Sequence, residues 1–333
     1  MTDQRDRALG AFYGLAIGDA LGMPTQQLPY TEIVHTFGTV DGFVDGPDGH
    51  FISAGFPAGM ITDDTEQAMV LGELLVAGNG AIDHHEFARR LRAWHAVAKA
   101  RGGEQLGPST QRALDALDAG VPVEQTGARG DTNGAAMRIT PVGIAVSPQP
   151  LDRLVETVAA ASRLTHGTGL AISGAAAVAA AVSASIEGTT LADAILLAVE
   201  AARMGVTIGA YSGGADVARR IEWVVDLAAG EPVDDAFLRA VRELVGTGVA
   251  TQESVPAAFA IAARWPDDPW TAGLATANLG GDTDTVGAMT GAILGAQCGY
   301  TRLRADAVDT VRRVNDLDLE PLVDALLGLR TRR

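Results

Sequence analysis

Ala288, Gly291, Ala292, Gly295 and Ala296 recur at i, i+3, i+4, i+7 and i+8. If residues 285–298 form a helix, one face of it is almost bare of side chains, and a neighbouring helix can approach backbone to backbone. A helix of this kind belongs at the centre of an all-α core. The composition agrees: only 5% of residues are aromatic, 47% are hydrophobic, and alanine and glycine are abundant. That balance favours many closely packed helices over a sheet of β-branched strands.

The 333 residues exceed the usual length of one domain. No Pro/Ser-rich or charged linker divides them, so we expect a single domain over 1–333. Residues 4–21 set Leu9, Phe12, Tyr13, Ala16 and Ile17 at helical spacing among charges. Residues 30–62 read as a long glycine-rich loop with one short helix near Tyr30–Phe37, and long loops in compact domains are often functional. Helical patterns follow at about 65–78, 83–100, 109–119, 134–146, 151–164, 168–186, 189–204, 213–229, 234–246, 253–264, 269–278 and 285–298. A last one covers 305–329, broken before Pro321. No fixed-period repeat points to a solenoid.

A net charge of −16 opposes a nucleic-acid surface, which needs clustered Lys and Arg. The lone Cys298 excludes an internal disulfide framework and suits a reducing compartment. The charged start Met1–Arg7 lacks the apolar core of a signal peptide. The apolar run 169–186 is short and Ala/Gly/Ser-rich, which argues against a membrane span. The expectation is a soluble, cytoplasmic chain with no membrane partner.

Two acidic motifs carry the chemistry: Thr62-Asp63-Asp64-Thr65 and Asp282-Thr283-Asp284-Thr285, each just before a helical stretch. Asp and Thr are ordinary helix N-caps, but a cap needs one such residue and each motif offers a cluster. Four converging carboxylates would repel by more than the ~0.3–1 kcal/mol that each gains from a helix dipole. No Lys or Arg lies within either motif, so an all-oxygen cage for two divalent cations, Mg²⁺ or Mn²⁺, is the economical reading. Thr62 and Thr285 would add hydroxyl ligands.

Taken with Gly14–Gly22, Asn133-Gly134-Ala135-Ala136-Met137-Arg138, Thr165-His166 and Gly280-Gly281, these motifs resemble the ADP-ribosylglycohydrolases. They fall in the same order and span residues 8–298. The resemblance implies a compact all-α domain with a binuclear Mg²⁺ or Mn²⁺ centre in a cleft, cleaving the glycosidic bond at C1 of an ADP-ribose unit. It puts Thr62, Asp63, Asp64, Asp282, Asp284 and Thr285 on the metal, Asn133, Gly134 and Met137 on the substrate loop, and His166 in the nucleotide cleft. Asp282 or Asp64 would orient or deprotonate the attacking water.

Three further positions are read from their local sequence. Gly107-Pro108-Ser109-Thr110 is either an anion cradle at a helix start or a simple cap by Ser109. Tyr211, in the glycine-flanked loop 209–214, is a candidate for stacking on adenine. His84, His85 and His95 read as surface groups.

The chain departs from the family pattern at two places. Gln26 stands where many members carry a glutamate, and it cannot take a proton. Gln105, beside Glu104, stands where many carry an aspartate. The substrate is accordingly an ADP-ribosylated protein or a small ribosylated molecule. Two alternatives to the ADP-ribosyl hydrolase stay open: a hydrolase of a small N-ribosylated, nucleoside-like metabolite, and a catalytically silent ADP-ribose-binding or structural protein.

Overall fold

A computed structural model describes residues 3–100 and 106–331; Glu104 and Gln105 lie outside the described residues. Those residues form helices and no β-strand. In chain order the helices are α1 (Asp3–Gly22), α2 (Tyr30–Phe37), α3 (Asp63–Ala77), α4 (His84–Ala100), α5 (Pro108–Asp118), α6 (Val123–Thr126), α7 (Gly134–Met137), α8 (Thr140–Ala145) and α9 (Leu151–Arg163). They continue as α10 (Gly169–Ile186), α11 (Leu191–Gly205), α12 (Val217–Gly230), α13 (Asp234–Ala240), α14 (Thr251–Arg264), α15 (Pro269–Ala277), α16 (Thr283–Cys298), α17 (Ala305–Asn315) and α18 (Glu320–Arg330).

The departures from the expected pattern have local causes. The stretch 134–146 is two short helices, because Pro141 in the first turn of α8 has no N–H to continue the ladder. The break turns Arg138 inward, where it is fully buried. Helix α12 begins at Val217, capped by Asp216 accepting from Arg219 N at 2.8 Å. The last pattern breaks where Asp316 takes a left-handed conformation, with Pro321 opening α18.

The bare face of α16 meets a matching glycine row on α1. A Cβ built on Gly10, Gly14 or Gly18 would stand 2.1, 2.2 or 2.0 Å from the carbonyl oxygen of Gly295, Gly291 or Gly287. The two helices therefore run backbone against backbone in opposite directions. This brings the C-terminal end of α1, bearing Asp19, beside the N-terminus of α16, bearing the second acidic motif. Helix α10 is the other centre of the core. By length and hydropathy it could cross a membrane, contrary to the sequence expectation, but every one of its residues is buried in protein.

Candidate active site

The first acidic motif is set by a residue outside it. Asp19 accepts from Thr62 N, Thr62 Oγ1 (2.8 Å), Thr65 N and Thr65 Oγ1 (2.5 Å), and so caps the start of α3 from α1. The second motif is fixed by its glycines. Gly280 and Gly281 both have positive φ, a conformation that costs glycine nothing. Gly281 N donates to Leu28 O, Gln27 N to Gly281 O, and Asp282 N to Thr247 O at 2.7 Å. A Cβ on Gly281 would lie 2.5 Å from Thr247 O.

The fold brings the two motifs together: Thr285 Oγ1 donates to Asp64 Oδ2 at 3.4 Å, and Thr62 Oγ1, whose proton goes to Asp19, lies 3.3 Å from the same oxygen. Asp282 is clamped by two amides, with Gln27 Nε2 donating to Oδ1 and Asn133 Nδ2 to Oδ2, both at 2.5 Å. Asn133 also donates to Ser254 Oγ. Asp63 accepts from Gln67, whose own oxygen accepts from Arg138 Nη1 at 2.8 Å. One amide thus bridges the guanidinium and the carboxylate.

Five carboxylates, Asp19, Asp63, Asp64, Asp282 and Asp284, gather here, and their proton affinities record burial and, at three of them, mutual repulsion. Burial first, and then the charges of Asp19 and Asp282, push Asp63 up to about 8. Asp64 and Asp284 are driven well above the usual carboxyl range by burial and then by neighbouring carboxylates, Asp284 first for Asp64 and Asp282 first for Asp284. Burial raises Asp282 too, opposed by hydrogen bonds from Asn133, Thr285 and Gln27. Asp19 is pushed up to about 6 by burial, against its bonds to Thr65 and Thr62.

Two oxygens of this cluster, Asp64 Oδ1 and Asp284 Oδ1, are buried with no hydrogen-bond partner. A buried, unpartnered carboxylate oxygen is costly unless something positive meets it. The donor set is all oxygen, which fits a hard divalent cation. As the side chains stand, no three His, Cys, Asp or Glu among the described residues are grouped to hold one ion: Asp282 is turned to its two amides and Asp63 to Gln67.

A cavity of about 290 Å³ opens over the cluster. Of the residues singled out from sequence, Gln26, Asp63, Gly107, Asn133, Gly134, Met137, His166, Asp282, Asp284 and Thr285 line it. Thr62 and Asp64 are not in its wall; both are buried.

Ser109 sits behind the wall at the end of a hydrogen-bond chain. Arg138 Nη2 donates to Thr165 Oγ1, which leaves the Thr165 proton for His166 Nδ1 at 2.7 Å. His166 Nε2–H then donates to Thr132 Oγ1, and Thr132 donates to Ser109 Oγ at 2.9 Å. His166 is therefore the neutral Nε2–H tautomer. Burial, then the charges of Arg138 and Arg112, hold its protonation well below the usual range. Gly134 makes room for it, since a Cβ there would be 2.8 Å from the imidazole.

One sequence assignment needs correction. Tyr211 is not in the cavity; it is 95% exposed, on a loop whose neighbouring backbone is sewn to Gly167 and Gly169 by Ala210. Gln26 lines the cavity, with one amide N–H on Met23 O, and it is its neighbour Gln27 that reaches the carboxylate. Sequence reasoning missed Asp19, Gln27, Gln67, Thr132 and Arg138. Two of these had a visible signal: Asp19 and Arg138 are charged residues set in otherwise apolar runs.

Comparison with known proteins identifies the family. A family model described as ADP-ribosylglycohydrolase matches residues 1–333. YegU, an uncharacterized protein of Escherichia coli (strain K12), is 34% identical over 98% of both chains. The ADP-ribosylhydrolase ARH3 of Bos taurus is 26% identical over 89% of this chain and 86% of its own. A solved structure titled ADP-ribosylglycohydrolase-related protein complex superposes with a TM-score of 0.69 at 26% identity, covering 99% of each chain. The match along the whole length is to one family, and the chain belongs to the ADP-ribosylglycohydrolases.

Proposed function

We propose that the chain hydrolyses the glycosidic bond at C1 of an ADP-ribose unit, with two divalent cations, Mg²⁺ or Mn²⁺, held by Asp63, Asp64, Asp282 and Asp284 with the hydroxyls of Thr62 and Thr285. The observation that carries the reading is the pair of buried, unpartnered oxygens Asp64 Oδ1 and Asp284 Oδ1 inside a family whose members hydrolyse such bonds. Bound there, divalent ions would supply Lewis acidity, which holds sugar hydroxyls and makes a water more acidic.

The chain's own residues do the remaining work. Asp282, oriented by Gln27 and Asn133, lines the cavity and is the group to orient the attacking water and accept its proton. Asp64, out of the wall, supports it electrostatically. Carboxylates around C1 also favour the positive charge that develops there as the bond breaks. Thr110 in the wall would offer its hydroxyl to a ribose, whereas the Thr132 proton goes to Ser109 and the Asn133 N–H groups to Asp282 and Ser254.

A second reading, a small ribosylated metabolite as substrate, is favoured by the cavity itself. Its volume is at the lower end for ligand pockets, and among the described residues no Lys or Arg lines it. A product assay with and without Mg²⁺ or Mn²⁺, run on ADP-ribosylated peptides, ADP-ribose derivatives and nucleosides, separates the readings. Metal-dependent turnover of the peptides supports the first, turnover of nucleosides alone the second. Binding of ADP-ribose with no turnover of anything would make the protein a silent binder.

A further inference from the structure

The part of the cavity wall built from residues 26–52 differs chemically from the part built from 107–137. It offers two neutral amides, Gln26 and Gln27, and two apolar side chains, Phe51 and Ile52. Phe51 is 69% exposed although it lines the same cavity as Asp63, Asp282 and Asp284. It is not a loose side chain. One face of its ring lies on the His50 imidazole, with centroids 5.1 Å apart and planes at 13°. His50 is itself buried and fixed: Nδ1 accepts from Ile52 N and Ser53 N at 3.1 and 3.0 Å, and Nε2–H donates to Gln26 O at 2.8 Å. Phe51 thus offers exposed aromatic surface at the cavity, backed by the fixed imidazole.

We propose that Phe51 determines the leaving group, and that the group it takes is a flat, cationic, N-linked heteroaromatic base of the pyridinium type. The inference rests on the reading of the cleft as a C1 hydrolase and names its substrate class. A delocalised cation is attracted to an aromatic face and to the carboxylates of the same cavity.

The proton balance selects it as well. In hydrolysis the C1–N bond breaks with its electron pair going to nitrogen, water supplies oxygen to C1, and the water's proton passes to a carboxylate. A pyridinium nitrogen departs as a neutral, weakly basic ring and needs no proton. A serine oxygen would leave as an alkoxide and calls for a proton donor; an ADP-ribosylated arginine is itself a guanidinium and departs as a neutral guanidine, but as a far stronger base than a pyridine it is the poorer leaving group. The polar side chains beside Phe51 are amides, which have no ionisable proton to give.

The test compares wild type with Phe51→Ala, Phe51→Leu and Phe51→Trp, each checked for wild-type helical circular dichroism. Substrates are nicotinamide adenine dinucleotide and nicotinamide riboside in both C1 anomers, an ADP-ribosylated arginine and a serine-linked ADP-ribosyl peptide, all with Mg²⁺ or Mn²⁺. The pyridinium substrate should have the highest kcat/KM. Ala and Leu should lower that value about 5–30-fold, mostly through KM, while Trp preserves it and the serine-linked peptide changes by less than about twofold.

Equal losses on every substrate, no loss, or a preference for the serine or arginine linkage overturns the inference. Saturation-transfer NMR with the N-methylnicotinamide cation needs no turnover and keeps the two readings apart. Cation binding that Phe51→Ala abolishes, with nothing hydrolysed, sinks the hydrolase reading and leaves Phe51's assignment. Serine-peptide hydrolysis with no cation binding does the reverse, and absence of both overturns both.

Discussion

Gly291→Ala tests how the core positions the site. The added Cβ would stand 2.0 Å from the carbonyl oxygen of Gly14, whereas real Cβ contacts essentially never fall below 3.0 Å. Helices α1 and α16 must therefore separate locally by about 1 Å. The obstacle is backbone on both sides and cannot rotate away, which puts the cost at the top of the overpacking range, about 3 kcal/mol. Unfolding entropy of about 2.1 cal/mol/K per residue amounts to about 0.7 kcal/mol/K over a chain of this length, so Tm should fall by about 4 °C.

Gly328→Ala is the matched control. It lies in α18 with no atom within 4 Å of its Cβ, and replacing a helical glycine there should add about 0.5–1 kcal/mol and raise Tm by about 1 °C. Scanning calorimetry of the two variants reads opposite signs. If Gly291→Ala is as stable as wild type, or both variants move Tm the same way, the backbone-to-backbone packing is wrong. Because α1 carries Asp19 and α16 carries Asp282, Gly291→Ala should also lower kcat.

The buried carboxyls give the cation-free protein a definite pH dependence. Each binds its proton more tightly folded than unfolded, so from the unfolded range near about 4 up to the value of about 8 at Asp63 the folded state holds more protons. Stability must fall as pH rises through that window; Tm in chelator should drop from about pH 5 to about pH 8, while the gain on adding Mg²⁺ grows. A pH-independent gain would contradict it. Gln26 separates hydrolase from silent binder: in an active wild type, Gln26→Ala raises KM more than it lowers kcat, whereas an inactive wild type rescued about 10²–10⁴-fold by Gln26→Glu defeats the hydrolase reading. Asn133→Ala should lower kcat about 10-fold or more by freeing Asp282, and Tyr211→Ala should change neither constant; a Tyr211 effect on KM would show that the loop reaches the substrate.

The helical architecture was legible because its signals are local and periodic. The bare face of α16 announced a close partner, although not that the partner would be the glycine row of α1, since pairing between distant helices has no local trace. The two acidic motifs could be read as one site for the same reason that they are unusual: clustered carboxylates without cations. What stayed hidden depends on three-dimensional neighbours. Gln27 and Gln26 are equivalent as sequence, and only the left-handed backbone at Gln27 and its pairing with Gly281 turn the one to Asp282 and the other to Met23. Tyr211 had the right chemistry for a ring platform, but its side chain stands out in solvent and is not part of the cavity wall.

Calorimetric titration of Mn²⁺ into wild type and the double variant Asp282→Ala/Asp284→Ala tests the central claim most directly, since the variant removes half of the carboxylates assigned to the cations. The account predicts two sites in the wild type, and loss of binding and of hydrolysis in a variant whose helical circular dichroism is unchanged. Undiminished Mn²⁺ affinity in the double variant would contradict it.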